Sequence, residues 1–150
     1  MGAGDREAAF ALFLAFLQAD PHYLDVAAAY GDGGPQALRR ALDLFTERPE
    51  LGFVWMARRQ GEVVGCCVAC FAISTSRGTL VAKLDDVNVR PGLEGQGIGS
   101  AMLASLKEEL RRCGATRIDT ATHVDNPGAR RFYERLGFAT LREERMSCLL

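Results

Sequence analysis

Two hydrophobic periods divide the chain. Up to about residue 45 the apolar residues recur every three or four positions, as on one face of a helix. From residue 53 to residue 89 they form strand-like runs separated by glycine turns. The first segment predicts a helix over 6–19, with Asp5 as N-cap and Phe10, Phe13, Leu14, Phe16 and Leu17 as a broad apolar face. Asp20-Pro21 predicts the cap and first-turn proline of a second helix reaching about Tyr30. Gly31-Asp32-Gly33-Gly34 reads as a loop, and Pro35 opens a third helix to about Phe45. Strands over 53–59, 62–74 and 79–89 follow, turned at Gln60-Gly61 and at Ser76-Arg77-Gly78. Next comes a helix over 98–113 with Met102, Leu103, Leu106, Leu110 and Cys113 on one face, stopped by Gly114. A short strand over 117–122 leads to a helix capped by Asn126, with Pro127 in its first turn and Gly137 at its end. Residues 138–142 and 145–149 suit a closing hairpin. This order predicts one α+β (mixed α/β) domain over 1–150, with a mostly antiparallel sheet and one parallel crossover.

Composition narrows the function classes. The 150 residues are 48% hydrophobic and 25% charged, ordinary for a globular domain with a real core. A net charge of −1 argues against nucleic-acid or anionic-membrane binding. The charge is uneven: residues 1–50 carry eight acids and four Lys/Arg, residues 101–150 nine Lys/Arg and seven acids. An acidic N-terminal third suits a cationic acceptor as well as plain solvation. No run of 18 apolar residues predicts a membrane span, and the apolar stretch at 10–17 has an acidic flank unlike a signal peptide. Five cysteines, an odd number without zinc spacing, predict free thiols in a cytoplasmic protein and no metal centre. Cys66, Cys67 and Cys70 lie inside an apolar run and read as small core residues.

The candidate chemistry lies where the third strand ends. Val87-Asn88-Val89-Arg90-Pro91-Gly92-Leu93-Glu94-Gly95-Gln96-Gly97-Ile98-Gly99-Ser100 joins a strand to a helix through four glycines in eight residues. Helix N-termini present unpartnered N–H groups and a positive dipole end, and glycine lets a phosphate approach the backbone. A nucleoside triphosphate loop needs Lys and then Ser/Thr after its last glycine, but Ile98 follows Gly97. A dinucleotide loop needs G-x-G-x-x-G, and Gly95-x-Gly97-x-Gly99 is one residue short. Asp119 stands at about the distance of a ribose acid, which keeps a dinucleotide oxidoreductase as a minor alternative.

Val89-Arg90-Pro91 with Gly95-Gln96-Gly97-Ile98-Gly99 resembles the pyrophosphate loop of the GNAT superfamily of acyl-CoA-dependent N-acyltransferases. Asn126-Pro127-Gly128-Ala129-Arg130-Arg131-Phe132-Tyr133-Glu134-Arg135-Leu136-Gly137-Phe138 is similar to that family's second signature. A helix and a strand separate the two, as in the family, and the resemblance covers residues 53–150 well. Glu94 stands where the family loop usually carries Arg or Gln, and only Met1–Gly4 precedes the first helix, where the family has a strand.

The resemblance implies acetyl-CoA as acyl donor and a small-molecule or peptide amine as acceptor, with direct attack in a ternary complex. A non-catalytic acyl-CoA sensor is the other reading, and a homodimer is implied by family habit. The backbone of Glu94, Gly95, Gln96, Gly97, Ile98, Gly99 and Ser100 would wrap the pyrophosphate. Val87, Asn88 and Val89, at a β-bulge, would receive the pantetheine arm, and the Val87 or Val89 N–H would polarise the thioester carbonyl. Asn126 would cap its helix and bond the pantetheine; Ala129 and Arg130 would line the same region, with Arg130 and Arg131 either meeting the 3′-phosphate or remaining solvated. Tyr133 is the implied general acid. Asp85 and Asp86 are the candidates for handling the ammonium, and adjacent strand residues face opposite ways, so one of them faces the site. An ordinary aspartate is a weak base, which favours a water relay or electrostatic holding. His22, Tyr23 and Asp25 fall where the family closes its acceptor pocket; His123 reads as incidental.

Overall fold

The computed structural model describes residues 3–24 and 33–149. Its elements are α1 (Ala3–Ala19), α2 (Gly34–Glu47), β1 (Gly52–Arg59), β2 (Glu62–Ser74), β3 (Thr79–Val89), α3 (Ile98–Arg112), β4 (Ala115–Thr120) and α4 (Pro127–Arg135). The strands form one sheet in the order β1-β2-β3-β4, antiparallel except for the parallel pair β3–β4. This is the expected mixed sheet, with α3 as the crossover. Among the described residues no strand precedes α1. Residues 21–24 are helical, and the Asp20 carboxylate accepts from Tyr23 N–H at 2.8 Å, the predicted cap; the rest of that helix and Asp25 lie outside the described residues.

Two cores flank the sheet, which explains why β2 is apolar along almost its whole length. Successive strand side chains face opposite ways. Cys66 and Val68 join Phe10, Leu12, Phe13 and Leu42 on the α1/α2 side. Cys67 and Ala69 join Ala82, Leu84 and the α3 residues Met102, Leu103, Leu106 and Leu110 on the other. Cys66 and Cys67 are therefore core residues as expected, and Cys70 is half-buried. Burying each such aliphatic side chain is worth about 1.5–3 kcal/mol, so α3 is held chiefly by its four buried residues.

Several sequence expectations change. Asp5 lies within the first turn of α1 rather than before it, and its carboxylate pairs with Arg58 of β1. A tertiary ion pair has replaced the cap. Cys113 caps α3 by its backbone, one residue beyond the helix, and is exposed rather than part of the buried face. The β4 strand begins and ends two residues earlier than expected. The closing hairpin is not formed: residues 139–149 are exposed and carry no strand ladder. Its alternation of apolar and polar residues is weak evidence, because strand preference comes from packing against neighbours, and these residues pair with no strand.

The β-bulge falls one residue earlier than expected. Cys66 pairs with Asn88 and Val68 with Asp85, so β3 holds one residue more than β2 between these pairs. The extra backbone is at Asp86, whose φ of 53° is left-handed. Beyond the bulge the facing is reset: Val87 joins the α3 core, while Asn88 turns to Cys66 on the other side. The β3–β4 pairing ends at Leu84–Thr120, and from Asp85 onward β3 has no partner on that edge.

Candidate functional site

The open end of the β3–β4 pair brings together most of the residues singled out by sequence. A cleft of about 380 Å³ runs along it, lined by Val87–Val89, Leu93–Gly95, Gly97–Ser100, Phe132 and Arg135. At its floor α3 starts at Gly97, an N-cap with φ 80° and no side-chain cap bond. The first N–H groups of α3 thus have no side chain competing for them. Gly99 allows close packing: a Cβ there would stand 3.3 Å from the Phe132 ring.

Within the loop, Glu94 lines the cleft but turns one carboxylate oxygen back onto the backbone. Its Oε2 accepts from Gly92 N–H at 2.7 Å, closing the turn before the helix. Asn88 is buried, donating to Asp86 O at 2.9 Å and to Cys66 Sγ at 3.3 Å, so its side chain holds the bulge. Asn126 caps α4 through Ala129 N–H at 2.9 Å. Arg130 is paired with Glu134 at 2.9 Å and does not line the cleft. Arg135, which sequence reasoning passed over, does line it and makes no ion pair among the described residues. Its place two turns after the α4 cap, beside Phe132, was the only signal.

The titratable groups of the splay differ sharply. Asp86 is half-buried, and burial raises its carboxyl from 3.8 to about 6; the Asp85 charge adds to this and Lys83 opposes it. Asp85 is tied to Lys83 at 2.6 Å. Bulge and ion pair together separate two carboxylates that simple strand alternation left equivalent. Tyr133 stacks edge-on against Phe132 and Phe138, with ring centroids 5.2 Å away in each case. Burial pushes its phenol up to about 12, against the effect of a hydrogen bond with Thr120. Thr120 itself donates to Leu84 O at 2.9 Å, the last paired position of β3. Tyr133, Asp85 and Asp86 are close enough for the two carboxylates to raise the phenol further.

On the acceptor side, the segment after α1 crosses to the turn after β4. The His22 and His123 rings lie 5.1 Å apart, and Tyr23 packs on Phe16 at 6.0 Å. His123 Nδ1 accepts from Asp125 N–H at 3.2 Å, which puts the proton of the neutral ring on Nε2. Among the described residues no cluster of three or more His, Cys, Asp or Glu is placed to hold a metal, and no helix is long and apolar enough to cross a membrane.

A strand splayed from its parallel neighbour, with a glycine loop leading into a bare helix N-terminus, defines an anion-receiving α+β site. Residues 16–138 match the acetyltransferase (GNAT) family, and the chain belongs to it. It is 34% identical over 83 residues to an aminoalkylphosphonate N-acetyltransferase of Salmonella typhimurium, covering 55% of this chain and 54% of that one. The chain spans about half or less of the length of the curated relatives it matches. Among solved structures, an integron cassette protein from the mobile metagenome of Cole Harbour Salt Marsh aligns with a TM-score of 0.78 at 26% identity, covering 98% of this chain and 86% of that one. A ribosomal-protein-alanine N-acetyltransferase of Brucella melitensis aligns with a TM-score of 0.74 at 16% identity, over 100% and 95% of the two chains, a likeness of fold.

Proposed function

We propose that this chain is a single N-acetyltransferase domain that moves an acetyl group from acetyl-CoA to a primary amine. The observation that carries the reading is the juxtaposition, at the open end of β3, of the half-buried Asp86 carboxyl, the half-buried Tyr133 phenol and a bare helix N-terminus. The residues fit the donor: Gly95 and Gly97 leave the start of α3 uncovered, and the unpaired edge of Asp85–Val89 is free to bond amides. The loop N–H groups from Gly95 to Ser100 hold the diphosphate, and Arg135 supplies the cation at the rim. Val87, Asn88 and Val89 align the pantetheine by backbone bonds, as an added strand would.

Acetyl-CoA supplies an activated thioester; the chain supplies orientation and proton transfer. Asp86 is ionised at pH 7 to roughly nine parts in ten. It accepts the proton from the acceptor nitrogen as that nitrogen becomes acidic on forming its new bond. Elevation to about 6 makes Asp86 a stronger base than an ordinary aspartate and closer in pKa to neutral pH. Asp85, held by Lys83, contributes field rather than proton transfer. An N–H of Val87 or Val89 polarises the carbonyl oxygen. Tyr133 stays protonated throughout the working range and donates to the departing thiolate. His22, His123 and Tyr23 close the acceptor side, and the acceptor is a primary amine that reaches Asp86 past them.

Titration with acetyl-CoA and with NADH separates this from the dinucleotide reading: acetyl-CoA binds and NADH does not. The reverse pattern sinks the proposal. Tyr133→Phe keeps the packed ring and removes the acid. Turnover is expected to fall about tenfold to a hundredfold while the acetyl-CoA dissociation constant stays within about twofold; unchanged turnover removes Tyr133 from the mechanism.

A further inference from the structure

Two polar side chains of the glycine loop bend back onto it. Glu94 Oε2 accepts from Gly92 N–H at 2.7 Å, and Gln96 Nε2 donates to Gly92 O at 3.4 Å. Gly92 is therefore gripped at both its donor and its acceptor. The remaining amide oxygen of Gln96 accepts from Arg59 Nη1 at 2.8 Å. Arg59 is the last residue of β1, far from the loop in sequence. Arg59 and Gln96 lie behind the loop, in a second cleft of about 520 Å³ that shares only Gly97 and Ile98 with the cofactor cleft.

The arrangement also accounts for charge. Arg59 makes no ion pair among the described residues, so its charge stays beside the loop, opposite in sign to the Glu94 carboxylate that accepts from Gly92 N–H. A loop with this many glycines loses much backbone freedom when it closes on a ligand, and ordering it beforehand saves that cost at binding.

We propose that Arg59, acting through Gln96, and Glu94 are positioning residues that hold the glycine loop in its anion-receiving conformation before the cofactor arrives. This rests on the acetyl-CoA reading above, and its consequences divide into two readouts. The first needs no cofactor. In the ligand-free protein, Arg59→Met and Gln96→Leu speed amide exchange over residues 92–98 severalfold and leave β2 unchanged. The second is affinity. Each variant raises the acetyl-CoA dissociation constant about threefold to tenfold, the scale of one hydrogen bond, with kcat within about twofold. Because both belong to one chain of contacts, the double variant is no worse than either single one. Glu94→Gln, which keeps the acceptor oxygen, retains more affinity than Glu94→Ala. Wild-type protein that fails to bind acetyl-CoA overturns the cofactor reading alone, and the exchange measurement still decides the brace. Unchanged exchange, or penalties that add in the double variant as for a direct phosphate ligand, overturns the brace.

Discussion

Asp86→Asn is expected to lower kcat by at least a hundredfold and at the same time to raise the unfolding temperature. Both effects have one origin. The bulge places Asp86 at φ 53°, half-buried, where burial favours the neutral acid. Asparagine adopts left-handed backbone at least as readily as aspartate, so the bulge survives the change. Loss of a positioned base costs about 10²–10⁴ in rate. A carboxyl whose folded pKa is raised above its unfolded value stabilises the fold fully below pH 3.8 and loses that contribution as pH rises through about 6. Above pH 6 the ionised group therefore costs of order 3 kcal/mol, which asparagine relieves. Wild-type kcat/KM should rise with pH to a plateau, with an acid limb near 6, and that limb should vanish from the residual activity of the variant. A variant with near-normal turnover, or an acid limb near 4, would show that Asp86 is not the base.

Gly97→Val is expected to abolish cofactor binding while the fold persists. The φ of 80° at Gly97 costs a side-chain-bearing residue about 1–2 kcal/mol, more when β-branched. Nothing lies within 4 Å of a Cβ at this position, so the protein itself does not clash with it. The new side chain instead occupies the space in front of the helix N-terminus, where the diphosphate would approach. Affinity for acetyl-CoA should fall by roughly a hundredfold or more, with only a few degrees lost in the unfolding midpoint. Undiminished binding would show that the loop is not the diphosphate site. Gly99 fails differently, through the Phe132 ring 3.3 Å from its Cβ, so a bulky residue there disturbs the α3–α4 packing first.

The limits of β2 and β3 were legible to the residue, because their apolar runs end at Gly and Ser turns that no strand continues. The glycine loop and the α4 cap were legible for the same reason: Gly97 and Asn126 answer local backbone needs. What was hidden depends on pairing across the sheet. The extra residue at Asp86 appears only when β3 is laid against β2, and with it appears the burial that raises the Asp86 carboxyl to about 6. Asp5 looked like a cap because no sequence pattern announces Arg58 beside it. Arg59 and Arg135 are single exposed arginines whose meaning comes from what the fold places next to them, Gln96 in one case and the cleft at the open end of β3 in the other. Glu94 looked out of place in an anion loop until its bond to Gly92 N–H accounted for it.

The central claim is that the open end of β3 transfers an acetyl group to an amine. It is tested most directly by following thiol release from acetyl-CoA with the purified chain across a panel of small amines, amino acids, polyamines and peptide N-termini, at pH 7 to 8. The account predicts release that requires an amine, saturates with at least one class, and yields one acetylated amine per thiol. Tight binding of acetyl-CoA with no amine-dependent release across the whole panel would contradict it and identify the chain as an acyl-CoA-binding domain without transferase activity.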